Sequence, residues 1–192
     1  MHNIRELLSK KPERIGNTKL IAIDGYAGCG KSSLATWLAK QLHAEIIHVD
    51  DFATWDQEFP WHNRLIDEVL IPIQNKASTL SYERTSWWEN HHPEKVTNQP
   101  VTAVMILEGV RALRPELRHY ISLSILVSAP KDICMERGIA RDLNTGKSLE
   151  EISALWKTWQ TNETTYMGLQ KPQIFADITL DGTIPFETQL SF

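Results

Sequence analysis

Gly25-Tyr26-Ala27-Gly28-Cys29-Gly30-Lys31-Ser32 follows the pattern G-x-x-x-x-G-K-[ST]. That spacing suits the holding of a phosphate chain. Glycines let the backbone turn tightly, so that its N–H groups face inward and cradle phosphate oxygens. Lys31 brings a mobile positive charge to the β- and γ-phosphates, and Ser32 offers a hydroxyl to Mg²⁺. A helix starting near Lys31 adds the positive end of its dipole. The run Gly25 to Ser32, with the following Ser33, therefore forms the candidate nucleotide contacts. Helix N-termini lower thiol pKa, so Cys29 is expected to be oxidisable, and its oxidation to block nucleotide binding.

Two acidic sites lie where apolar runs end. Asp50 and Asp51 follow Ile46-Ile47-His48-Val49, and Glu108 follows Ala103 to Leu107. Phosphoryl transfer needs a phosphate cradle, a carboxylate that holds metal and a carboxylate that accepts the proton of the attacking hydroxyl. Glu108 suits the metal, together with Ser32, and Asp50 suits the base. Asp51 reads as a cap or a substrate contact. Arg137 and Arg141 stand four residues apart, so a helix places them on one face. There they can neutralise charge on a transferred group beneath a closing lid. Trp55, Arg64, Tyr82, Arg84 and Trp87 are further candidates for touching substrate, Trp55 and Trp87 by stacking. His91 and His92 lack a third ligand at metal-binding spacing.

The elements that must position these residues follow from periodicity. Leu20 to Ile23 reads as a strand buried on both faces, followed by the glycine-rich loop and a helix over 31–42 (Leu34, Leu38, Leu42). Further strands are expected at 45–49, 101–107, 121–127 and 175–180. Helices are expected at 3–10, 64–74, 131–142 and 148–166, the last opened by a Ser148/Glu151 capping box. Strands alternating with helices predict an α/β fold with a doubly wound, mostly parallel sheet. Ligands then sit outside the carboxyl ends of the strands, where the phosphate loop, Asp50 and Glu108 can converge. Residues 51–100 are polar, Trp-rich and irregular, and read as a substrate-facing insertion within one domain spanning 1–192. Residues 134–150 read as a small lid.

Composition narrows the class. The 192 residues are 42% hydrophobic and 23% charged, with a net charge of −4. That argues against nucleic acid as a partner. No apolar run reaches the length of a membrane span, and no secretory leader is apparent at the start. Two cysteines build no disulfide framework, which suits a reducing, cytoplasmic setting. Seven tryptophans exceed five phenylalanines and four tyrosines. Trp55, Trp61, Trp87 and Trp88 fall between Asp50 and Glu108, while Trp37, Trp156 and Trp159 read as core.

Five motifs stand in an order that resembles the uridine kinase and phosphoribulokinase group of P-loop kinases. They are Ile21-Ala22-Ile23-Asp24-Gly25 through Ser32, His48-Val49-Asp50-Asp51-Phe52, Ile106-Leu107-Glu108-Gly109, Arg137-Gly138-Ile139-Ala140-Arg141-Asp142 and Phe175-Ala176-Asp177-Ile178. The resemblance covers roughly residues 18–182. It implies a nucleoside kinase-like P-loop NTPase fold with a small helical lid, and phosphorylation of a small-molecule hydroxyl, such as that of uridine or cytidine, from ATP or GTP with Mg²⁺. By resemblance Asp50 is the base, Lys31 and Ser32 contact phosphate and metal, Glu108 is the metal-associated acid, and Arg137 and Arg141 are lid arginines. The chain departs from the family at four places. Ala53 replaces a frequent Tyr, Cys134 a frequent lid Arg and Gly138 a frequent basic residue, and Tyr82-Glu83-Arg84 replaces Tyr-Asp-Phe. These departures bear on the acceptor rather than on phosphoryl transfer. Alternatives are a kinase of pantothenate, a sugar or glycerate, and an ATP-binding regulatory module without catalysis. A GTPase is disfavoured, because Asn75-Lys76 lacks an Asp two positions on. The sequence leaves homo-oligomerisation open.

Overall fold

The computed structural model describes residues 1–53, 61–85 and 94–192. Trp55, Trp87, Trp88, His91 and His92 lie outside the described residues.

Five strands form the central sheet: β2 (Lys19–Asp24), β3 (Glu45–His48), β6 (Val104–Glu108), β7 (Leu123–Ser128) and β8 (Ile178–Asp181). Their order is β3-β6-β2-β7-β8, and every pairing is parallel. The chain leaves β2 to build one side of the sheet and returns across it to build the other. The crevice at the carboxyl end of β2 is thus the switch point where an open α/β sheet binds its ligand.

Alternation along β2 divides the core in two. Leu20 and Ala22 point to one face, where they meet Ile47, Met105, Leu107 and the helical run from residue 61. Ile21 and Ile23 point to the other, where they meet Leu34, Ala35 and Leu38 of α2 (Lys31–Leu42) and Ile4 of α1 (Ile4–Ser9). Both faces are covered, which explains why β2 reads as a continuous apolar run. The chain ends are tied together by the short β1 (His2–Asn3) and β9 (Leu190–Ser191), a parallel pairing that the sequence does not signal. Trp37 packs edge-on against Phe192, with ring centroids 5.2 Å apart.

The segment over 51–100 departs from the expectation of irregular chain. Its described parts hold α3 (Trp61–Leu65), a π-helical turn at Ile66–Leu70, α4 (Ile71–Gln74) and an antiparallel hairpin of β4 (Thr79–Glu83) and β5 (Lys95–Pro100). In β4 only Leu80 and Tyr82 are buried, so a strict two-residue alternation marks this strand.

The C-terminal part follows the expected pattern more closely. α5 (Lys131–Asp142) passes through a 3₁₀ turn into α6 (Leu149–Gln170). Ser148 caps α6 in a full capping box with Glu151. α6 runs one turn past its expected end, and the one-turn α7 (Pro172–Phe175) leads into β8.

Candidate active site

The loop after β2 closes over the switch point and forms one wall of a cavity of about 890 Å³. Gly28 shows why the loop needs glycine: its φ is +80°, and a Cβ there would lie 2.1 Å from the Cys134 carbonyl oxygen of α5. Gly30 caps α2 in the left-handed conformation, so the helix N-terminus faces the cavity. Gly28, Gly30, Lys31, Ser32 and Ser33 line it.

Lys31 is buried and donates from Nζ to the Tyr26 carbonyl at 2.9 Å. Burial alone would lower its pKa. The acidic groups around it, Cys29, Glu108 and Asp24 foremost, hold the pKa above its ordinary value.

Glu108 is the last residue of β6 and is buried. Parallel register places it beside Ile23 of β2 and His48 of β3, at the same end of the sheet. Its Oε1 accepts from Ser32 Oγ at 3.0 Å, and its Oε2 lies 2.9 Å from His48 Nδ1. Burial would raise its pKa, but the His48 hydrogen bond and the Lys31 charge overcome that and hold it low. The same hydrogen bond holds His48 above its ordinary value.

Asp50 and Asp51 sit in a 3₁₀ turn rather than on a strand end. Successive residues on such a turn point about a third of a turn apart. Asp50 faces the cavity. Its carboxyl is open to the cavity, and the surrounding cavity walls and the Glu108 charge push its pKa up. Asp51 points the other way and is buried. It accepts from Tyr82 Oη at 3.2 Å and pairs with Arg84 at 3.3 Å. Arg64 is held by Glu68, Thr85 and the Glu83 carbonyl. Asp51, Arg64, Tyr82 and Arg84 therefore tie the hairpin to the 3₁₀ turn and to α3, and they stand behind the residues that line the cavity.

Arg137 and Arg141 both line the cavity from α5. Arg137 donates to the Gly182 carbonyl at 2.8 Å, and Arg141 donates to Asp142 at 2.7 Å. Asp142 in turn accepts from the indole N–H of Trp156 at 2.9 Å.

Trp61, one of the aromatics between Asp50 and Glu108 that could fence a pocket, lines the cavity. Three features escape the sequence reading. Trp156 is buried as expected of a core residue, yet Trp156 and Trp159 line the cavity. Asp24, fully buried at the end of β2, accepts from the backbone of Gly25, Arg111 and Leu113 and from the Tyr166 hydroxyl. Glu163 of α6 is buried and accepts from the Ala27 N–H at 3.1 Å. A signal existed for the last. Trp156, Trp159 and Glu163 fall at helical spacing, so an acid interrupts an aromatic stripe.

Cys29 corrects a further expectation. Its side chain is fully buried, and burial pushes the thiol up, outweighing the lowering by Lys31.

The donor set suits Mg²⁺: a hydroxyl and a carboxylate oxygen side by side, with room for phosphate oxygens to complete a hard-oxygen shell.

Residues 76–181 match the family described as phosphoribulokinase / uridine kinase. A uridine kinase of Mannheimia succiniciproducens is 30% identical over 155 residues, covering 69% of this chain and 72% of the relative. A uridine kinase of Salmonella newport is 26% identical over 160 residues, covering 72% and 75%. Among solved structures, a Bacillus stearothermophilus protein described as a "possible uridine kinase" superposes with a TM-score of 0.61 at 17% identity, over 92% of this chain and 94% of its own. That last likeness speaks to the P-loop fold alone.

Proposed function

The chain belongs to the phosphoribulokinase / uridine kinase family, and from that premise we propose that it transfers the γ-phosphate of ATP to a hydroxyl of a nucleoside such as uridine or cytidine. The observation that carries the reading is the hydrogen bond from Ser32 of the phosphate loop to Glu108, on the cavity that Asp50 also faces. Cradle, metal-holding acid and candidate base share one space of a size that suits a nucleotide and a small acceptor.

In this reading Asp50 accepts the proton of the acceptor hydroxyl as its oxygen attacks the γ-phosphate in line. An elevated pKa suits a base that must take a proton near neutral pH. Lys31 and the loop N–H groups hold the phosphate oxygens, and Arg137 and Arg141 face the transferred group from the α5–α6 lid. Ser32 and Glu108 would hold Mg²⁺, with His48 orienting Glu108 from behind. Bound there, Mg²⁺ neutralises phosphate charge.

A panel of nucleosides and other hydroxyl metabolites, with coupled detection of ADP, tests the reading. Uridine or cytidine should give ADP in the wild type and not in Asp50→Asn. Turnover confined to pantothenate, a sugar or glycerate would overturn the nucleoside assignment. ATP binding without ADP formation on any acceptor would overturn catalysis.

A further inference from the structure

Glu163 sits among groups that make it more than a structural anchor. Carboxylates are rarely buried unless partnered. The partner here is the Ala27 N–H, a donor of the phosphate loop. The titratable and charged groups facing Glu163 are Lys31 at the start of α2, Asp24 at the end of β2, Arg111 in the turn after β6, and the thiols of Cys29 in the phosphate loop and Cys134 of α5. Lys31 and Arg111 favour its ionised form, while burial and Asp24 oppose it.

We propose that Glu163 is a nucleotide-site residue that gives up its negative charge, by taking one proton from solvent, as the phosphate chain enters the loop. One bond breaks, to the proton in hydronium or a buffer acid, and one forms, between that proton and a Glu163 oxygen, leaving water or the buffer base behind. The inference rests on reading the cavity as a nucleotide site.

A phosphate in the cradle sets like charge against Glu163 in a space with little water, and like charge favours the protonated carboxyl. Protonation also converts the group from an acceptor into a donor. Ala27 N–H then becomes available to a phosphate oxygen, and the Glu163 O–H supplies a second donor beside it. In the structure burial has already pushed the Glu163 carboxyl up to about 7. The proton is therefore within reach at neutral pH. The same device ties α6, and with it the end of the helix pair that carries Trp156 and Trp159, to the state of the loop.

Calorimetric titration of the wild type and Glu163→Gln with the Mg²⁺ complex of a non-hydrolysable ATP analogue tests this. Titrations at pH 8, in two buffers of different ionisation enthalpy, report protons taken up on binding. A carboxyl titrating at about 7 is roughly nine-tenths ionised at pH 8, so the wild type should take up nearly one proton more than Glu163→Gln. Glu163→Gln should bind about tenfold tighter at pH 8 and about equally at pH 6. Comparing the two proteins cancels the contributions of Asp50, His48 and the analogue itself. Equal uptake in both proteins, or weaker binding by Glu163→Gln at both pH values, would overturn the proposal. An infrared difference spectrum of the wild type needs no variant: binding should add a protonated-carboxyl C=O band at pH 8, and its absence overturns the proposal. Failure of the wild type to bind the analogue at all overturns the nucleotide reading as well, whereas binding without proton uptake overturns this inference alone.

Discussion

Tyr166 donates its hydroxyl to Asp24 Oδ2 at 2.6 Å, although 142 residues separate the two. Asp24 also accepts three backbone N–H groups, from Gly25, Arg111 and Leu113. One buried carboxyl thus ties the end of β2, the first residue of the phosphate loop, the turn after Glu108 and the helix α6. An amide cannot replace it, because an NH₂ group would face donors. Asp24→Asn is expected to cost about 3 kcal/mol and to lower the melting temperature by roughly 6–12 °C. Tyr166→Phe, which removes one donor and leaves three, should cost less. Thermal unfolding of the two variants checks the order.

Gly138 faces the ring of Trp156 across the α5–α6 pair. A Cβ at 138 would lie 2.0 Å from that ring, and the ring's N–H is held by Asp142. Gly138→Ala must therefore push the indole off Asp142 or bend α5. The expected cost is about 1–3 kcal/mol. Because Trp156 and Arg141 line the cavity, KM should rise along with the loss of stability. Unchanged melting and kinetics in Gly138→Ala would show that the pair is loosely packed.

Asp50 must be ionised to accept a proton, and both the cavity walls around it and Glu108 raise its pKa. The sign follows directly: kcat/KM rises with pH through that pKa, so its acid limb lies above the ordinary carboxylate range. Asp50→Asn should lose about 10²–10⁴ in kcat while retaining nucleotide binding. A pH–rate profile with an acid limb near the ordinary Asp value, or a kcat that survives in Asp50→Asn, would remove Asp50 from the role of base.

Much of this arrangement is legible in the sequence because it is local. The phosphate loop needs glycines at fixed positions, Leu20 to Ile23 is buried on both faces, and Ser148 and Glu151 announce the start of α6. The apolar run up to Leu107 likewise places Glu108 at a strand end. What stayed hidden depends on distant pairings. The Asp51 network is invisible until the hairpin brings Tyr82 and Arg84 to it. Trp156 and Trp159 obey a core-like spacing, yet the face they share turns to a cavity. Spacing along a helix tells which residues lie together and not what the face meets.

Cys29 separates two physical effects that compete at one atom. A helix N-terminus lowers a thiol's pKa, and Lys31 acts in the same direction. Burial acts against both and prevails, since the thiol is fully enclosed in the core beside Val127 and Leu34. The thiolate is the reactive form, so its scarcity at neutral pH should make Cys29 inert. Cys134 is also buried, with its thiol pushed up to about 11. An aromatic disulfide reagent should therefore label neither cysteine at pH 7.5 in the folded protein and both in denaturant. Peroxide should inhibit the wild type no more than Cys29→Ala. Rapid labelling of Cys29 in the folded protein, abolished by a bound ATP analogue, would show instead that the loop opens often enough for the helix-terminus effect to govern the thiol.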